Sequence, residues 1–404
     1  MDNVKRNLFL LSMAQFVLLA SVVTVITYSS LVAKMMTGDN ALATIPSASA
    51  FLATAAFAFP ASMFMKRFGR KVGFYTGAAF GGIGGLLAVV SIYTNNYYLL
   101  CLATFSHGTY QSFANYYRFT AMEVSPKNYH KQAVSYVILG GILAGFSAPT
   151  LARLFESNYF EPLVYAGTYC LIIFLSLVAC TLIYLIKLPP RKKMPDDHVP
   201  AANPKIMDVL KRPAFICASL SATAAYLSMS FIMTATPLEV VEVCGFLVEE
   251  AAGVIQWHSI SMFAPAIITG TLIARFGSIK MILVGMVTML VSTVIAKAGV
   301  ELYNFYAALV LIGIGWNFMF TAGTTLLEHA YNDEEKAYVQ GLNDFVVFGL
   351  SGLATLSSGF MLDRVGWGNM NNIVIGVLSL LIFVIGWFVK VRDSGPKDRS
   401  EAII

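Results

Sequence analysis

Met65-Lys66-Arg67-Phe68-Gly69-Arg70-Lys71 is a short basic turn between two apolar runs, and Ala274-Arg275-Phe276-Gly277 repeats its centre 208 residues further on. The same shift joins Gln132 to Gln340 and Gly141 to Gly349. One offset that aligns two separate regions is the mark of an internal duplication. Around the turns the chain is cut into apolar runs that predict twelve crossings. These are Asn7–Val32, Thr44–Met65, Val72–Tyr93, Tyr97–Met122, Gln132–Phe155 and Leu163–Ile186. After a polar interruption follow Ala214–Thr236, Ala251–Ala274, Met281–Val300, Leu302–Leu327, Tyr338–Leu362 and Asn372–Val391. About 20 apolar residues cross ~30 Å of hydrocarbon as α-helix. The runs are continuously apolar rather than alternating, which selects helices over a barrel.

Composition agrees. Of 404 residues, 57% are hydrophobic and 12% are charged, about half the charge of a soluble domain. That excludes an ordinary water-soluble enzyme. All but five of the 27 lysines and arginines fall on one side of the predicted crossings. The exceptions are Lys34, Arg153, Lys297 and Arg364 on the other side, and Arg118 within a span. The positive-inside bias makes the rich side cytoplasmic, with both termini inside. It also accounts for the net charge of +5, so nucleic-acid binding gains no support. The five cysteines are scattered, without metal or redox spacing.

Two similar six-helix bundles are therefore expected, over 1–187 and 212–404. The proline-rich segment 188–211 would serve as a tether between them. The basic turn resembles the signature of the major facilitator superfamily, which has a Gly, then an acid, Arg, Gly and two basic residues. Ser62, Lys66, Arg67, Gly69, Arg70 and Lys71 occupy those positions, and Gly270, Ala274, Arg275 and Gly277 form the second copy. Ser62 replaces the Gly, and the acid is missing from both copies. Parallel repeats of six helices are the architecture of such carriers. The resemblance implies an all-α membrane protein with twelve helices in two pseudo-symmetric bundles. It also implies a bacterial secondary transporter of the inner membrane, and a central cavity lined by the first, fourth, seventh and tenth helices. Gly140, Gly141, Ala144, Gly145, Ala148 and Pro149 resemble the fifth-helix motif of the superfamily's antiporters; close helix packing is the better account of them.

In the fourth span His107, Gln111, Asn115 and Arg118 fall in one quadrant, and in the tenth Asn317, Thr321, Thr324 and Glu328 share a face beside Trp316. Polar groups facing lipid are costly, so the two stripes point to a water-filled pathway. Counting rise per residue puts Gln15, His107, Trp316 and Asn317 near the midplane, with Tyr226 as a further wall. The expected substrate-binding set is Gln15, His107, Gln111, Asn115, Arg118, Tyr226, Trp316 and Asn317. For each, an interhelical hydrogen bond is the alternative. Arg118 suits an anion, or closes an inner gate with Glu328, Glu123 or Asp344. Lys66, Arg67, Arg70 and Arg275 complete the gating candidates. Proton coupling needs a group whose charge can change: Asp344, His107 or His258. No phosphate loop, cofactor motif or metal cluster is present. A monomer moving a small polar or amphipathic molecule, an organic anion among the options, is expected, with protons and membrane lipid as partners. Efflux of drugs or metabolites, and a sensor that keeps the carrier fold, stay open alternatives.

Overall fold

The computed structural model describes residues 2–126, 130–156, 165–188, 206–332 and 335–393. Among them there is no strand. The crossing helices are α1 (Asp2–Thr37), α2 (Ile45–Phe68), α3 (Arg70–Tyr93) and α4 (Tyr97–Ala114, continued by Tyr117–Glu123). They continue as α5 (His130–Glu156), α6 (Ala166–Leu185), α7 (Pro213–Leu238) and α8 (Val248–Phe263, continued by Ala266–Phe276). Last come α9 (Ser278–Ala298), α10 (Leu302–Leu327) and the stretch Lys336–Asp393, which Gly366 divides into α11 and α12. The architecture is twelve helices in two six-helix bundles. The expected tether falls mostly on residues 189–205, outside the described residues.

Three details depart from the sequence reading. The fourth crossing breaks at Asn115 and Tyr116. The eighth bends by 41° between Phe263 and Ala266, where Pro265 cannot donate to the helix ladder. The expected loop after Leu362 is instead helix on either side of Gly366.

The duplicated turn is a duplicated geometry. Gly69 (φ 93°, ψ 158°) and Gly277 (φ 84°, ψ 157°) each end one helix and begin the next. Each donates its N–H 2.8 Å to the carbonyl four residues back, Met65 and Ile273 respectively. A side chain at that φ is strained, which explains the choice of glycine. Arg67 lies 5.3 Å over the ring of Phe68, and Arg275 the same distance over Phe276.

The halves meet along two seams, α2 against α11 and α5 against α8. Small residues let the backbones close in. A Cβ on Gly145 would lie 2.9 Å from Ile260, and one on Gly141 2.8 Å from Phe263. At the face opposite the basic turns, three hydrogen bonds cross between halves. Gly359 N donates to Thr44 Oγ1 (3.1 Å), Arg153 Nη2 to Glu249 O (3.3 Å) and Gln256 Nε2 to Phe146 O (2.8 Å). At the basic face Phe59 and Tyr338 meet edge to face, 6.4 Å apart.

Two ion pairs at the basic face each stay within one half. Arg70 binds Glu123 at 2.7 Å, and Arg212 grips both oxygens of Glu335 (2.7 and 2.8 Å) and the carbonyl of Ala330 (2.7 Å). The Arg212 guanidinium holds the Glu335 carboxyl below its usual range, while Glu335 raises Arg212. A lowered carboxylate gives stability that is complete above the unfolded value, ~4.3 for Glu, and is lost as pH falls through the folded one. Glu335→Gln is accordingly expected to lower the apparent Tm by about 1–2 °C at neutral pH, the gap from wild type closing as acid protonates the lowered Glu335 carboxyl. Thermal scans of the purified protein across pH measure it.

Candidate functional site

Where the bundles meet, α7, α8, α10 and α11 contribute a cluster of aromatic rings. Trp316 and Phe320 are one turn apart on α10 and stack at 5.2 Å with 10° between their planes. Tyr226 of α7 stands edge-on to Trp316 (5.1 Å), Phe320 (5.0 Å) and Phe348 of α11 (5.1 Å). Phe263, the last residue before the α8 bend, lies 6.2 Å from Trp316 at 76°. The other half completes the enclosure. Phe51 and Ala55 of α2 pack with Phe348, while Leu19 of α1 lies beside Gly141 near Phe263. The indole Nε1 of Trp316 is buried and has no hydrogen-bond partner. Buried indole N–H groups ordinarily find an acceptor, and this one has none within the protein.

The first half contributes polar groups on α1 and α4. Gln15, Gln111 and Asn115 are half-buried, and Gln111 Oε1 is reached only at 3.5 Å, by Thr54 Oγ1. The break after Ala114 comes just before Arg118, whose guanidinium covers the ring of Phe119 at 5.2 Å. Its Nε is buried without a partner. The charge of Arg118 acts across the junction on Asp344 of α11 and on Tyr226. Asp344 also accepts from Asn343 Nδ2 at 3.2 Å. A cation from one bundle and an anion from the other thus sit beside the aromatic cluster without closing into an ion pair.

Other predicted residues are placed elsewhere. His107 is buried, edge-on to Tyr110 at 6.0 Å, with Nε2 unpartnered, and Gly84 of α3 packs on its backbone. His258 Nδ1 donates to the carbonyl of Leu309 (2.7 Å), a bond between α8 and α10. The amide of Asn317 is fully engaged: Nδ2 donates to Met262 O and Oδ1 accepts from Thr269 Oγ1, both at 2.7 Å. These bonds match the interhelical alternative for Asn317, since both polar atoms are turned into α8. Glu123, expected to latch Lys66, Arg67 or Arg118, is held by Arg70. Glu328, the other expected partner of Arg118, is exposed and forms no ion pair among the described residues. The side chain of Lys66 lies outside the described residues. Sequence reasoning missed Phe51, Phe263, Phe320 and Phe348. Only Phe320 carried a signal, its four-residue spacing from Trp316; the others are one phenylalanine among 29.

The family model of the major facilitator superfamily matches residues 8–293 and again 218–403. The chain belongs to the major facilitator superfamily. The second match begins inside the first, which is the internal duplication seen from outside. Members of the superfamily are membrane carriers rather than enzymes, and this chain is one of its multi-pass transporters. It is 32% identical, over 94% of both chains, to the riboflavin transporter RfnT of Brucella anthropi. It is 26% identical to the uncharacterized MFS-type transporter YdeG of Bacillus subtilis, over 95% of this chain and 92% of that one. Among solved structures it resembles the E. coli fucose:proton symporter FucP, with a TM-score of 0.62, 18% identity and 95% and 97% of the two chains covered. It also resembles a bacterial homolog of the human lysosomal transporter Spinster in an inward-facing, unoccupied conformation. There the TM-score is 0.67 at 12% identity, with 96% of each chain covered.

Proposed function

We propose that this carrier moves riboflavin, or a similarly flat heteroaromatic solute with a polar tail, by alternating access. The observation that carries the reading is the ring cluster of Tyr226, Phe263, Trp316 and Phe320 at the junction of the bundles, with its free indole N–H. Aromatic faces hold a planar ring by stacking and burial, and the N–H would donate to a ring nitrogen or carbonyl of the solute. Gln15, Gln111, Asn115 and Arg118 would meet the hydroxylated or charged tail. The relative that transports riboflavin, matched over nearly the full length of both chains, supports the same class.

The halves 1–187 and 212–404 would rock about the solute, joined by 188–211, in a monomer embedded in the bacterial inner membrane. The basic face would be cytoplasmic, with both termini there. The hydrogen bonds that join the halves at the opposite face, and the basic-face ion pairs kept within each half, favour a state opening to the cytoplasm. Asp344 would carry the coupling proton, its charge answered by Arg118 in the other half. His107 and His258 are weaker carriers, one enclosed in the first bundle and the other bound to Leu309.

The test is flavin uptake into proteoliposomes, followed by flavin fluorescence, with and without an imposed pH gradient. Saturable uptake that unlabelled riboflavin inhibits and an inward proton gradient accelerates is the expected result. No flux in either direction, with binding intact, would move the protein to the sensor class. Flux driven only outward would make it an efflux carrier.

A further inference from the structure

Pro265 starts the bend in α8, and a side chain of another helix spans the break. In an unbroken helix the Met262 carbonyl would accept from the N–H of Ala266, four residues on. Here it accepts instead from Asn317 Nδ2 of α10, at 2.7 Å. On the far side of the break Thr269 Oγ1 lies 2.7 Å from Asn317 Oδ1, and equally 2.7 Å from the carbonyl of Pro265 in its own helix. A hydroxyl has one proton to donate, so Thr269 can serve α10 or its own helix. One amide therefore spans both sides of the break, and each of its bonds has a replacement within α8. Asn317 and Thr269 are both buried. The approach is tight just before the bend, where a Cβ on Gly313 of α10 would lie against Ser261 Oγ and 2.9 Å from His258 O.

The bend has a direction. The first piece of α8 packs on α5, through Ile260 at Gly145 and Phe263 at Gly141. The second piece, Ala266–Phe276, meets α5 at far fewer points than the first does. The bend thus carries the basic-face end of α8 away from α5.

We propose that Asn317 is a positioning residue: with Thr269 it forms a latch that holds α8 bent and the basic end of the α5–α8 seam open. When the latch releases, Met262 O takes the N–H of Ala266, Thr269 falls back on Pro265, and α8, less bent though still kinked by Pro265, closes toward α5. Asn317 follows Trp316 in sequence, and Phe263 ends the first piece of α8, so ring packing and latch share two helices. Only this link between latch and solute rests on the proposed transport of a flat heteroaromatic molecule.

The experiment measures distance between spin labels at Leu139→Cys on α5 and Ala274→Cys near the end of α8, in a chain with its five native cysteines replaced. Thr269→Val keeps the shape and removes the hydroxyl, Thr269→Ser restores it, and Asn317→Leu removes both bonds. Straightening a 41° bend moves a point eight residues beyond it by up to about 8 Å at 1.5 Å rise per residue. Thr269→Val and Asn317→Leu are expected to shift the population toward the shorter distance, with Thr269→Ser matching the parent. Should Asn317→Leu fail to fold, the threonine pair decides. An unchanged distribution in Thr269→Val, or Thr269→Ser behaving like Thr269→Val, overturns the latch. No solute is needed, so the outcome stands apart from whether riboflavin is the substrate. With solute, latch variants are expected to lower Vmax while KM stays within about twofold, the split that separates gating from solute contact.

Discussion

Trp316→Ala is expected to raise KM for riboflavin uptake about a hundredfold. Removing a buried indole forfeits burial and ring packing worth about 3 kcal/mol, and each 1.4 kcal/mol is a factor of ten. The loss is concentrated there because Trp316 touches three other rings of the cluster, stacking on Phe320 and meeting Tyr226 and Phe263 edge-on. Trp316→Phe keeps a ring but has no N–H. It is expected to raise KM only about fivefold, the net worth of one hydrogen bond near 1 kcal/mol. The two variants together separate stacking from donation by Nε1, the buried atom without a protein partner. Initial-rate uptake over a range of flavin concentrations measures both, with thermal stability as the control for folding. A KM for Trp316→Ala within twofold of wild type would remove the aromatic cluster from the binding site.

The second large effect concerns the charges that face each other between the bundles. Asp344→Asn is expected to abolish accumulation driven by a pH gradient while leaving solute exchange across the membrane. The proton carrier is gone, but the aromatic cluster is not. Arg118→Ala should be more damaging, because Asp344 then has a charge and no answering cation. Leaving a buried charge without its counter-charge is costly, and removing both charges costs far less. The double variant Arg118→Gln with Asp344→Asn is therefore expected to fold and exchange solute better than Arg118→Ala alone. Gradient-driven accumulation surviving in Asp344→Asn would end the coupling role; a double variant no better than Arg118→Ala would end the pairing. Counterflow and gradient-driven uptake in the same vesicles give both readings.

Much of this protein is legible without coordinates. Apolar runs of bilayer length need no partner to declare themselves, because lipid forces each segment to satisfy its own backbone. The duplicated Arg-Phe-Gly turn gave the repeat, and the Gly69 and Gly277 torsions agree within about ten degrees. The candidate site was only partly legible. Trp316 was singled out by its central depth, and Arg118 by its place within a span; the rings of Phe263, Phe320 and Phe348 around Trp316 and Tyr226 were not. On α10 the amide of Asn317 bonds to α8, the interhelical alternative weighed for it. Helical periodicity says which residues share a face, not whether that face meets a pathway or a neighbouring carbonyl.

Local sequence determined the helices, their number and their pairing into two related halves, since those follow from the chain's own hydrophobicity and turn chemistry. Tertiary packing decided which polar atoms are spent and which are free. Asn317 is used by Met262 and Thr269, His258 by Leu309 and Glu123 by Arg70, whereas the indole of Trp316 and the Nε of Arg118 have no partner. The physical reason is that a buried donor or acceptor is claimed by whatever lies within about 3 Å of it. Across a helix interface that neighbour comes from a distant part of the chain. The bend at Pro265 adds to this by redirecting the helix beyond it, which a uniform 100° per residue does not anticipate.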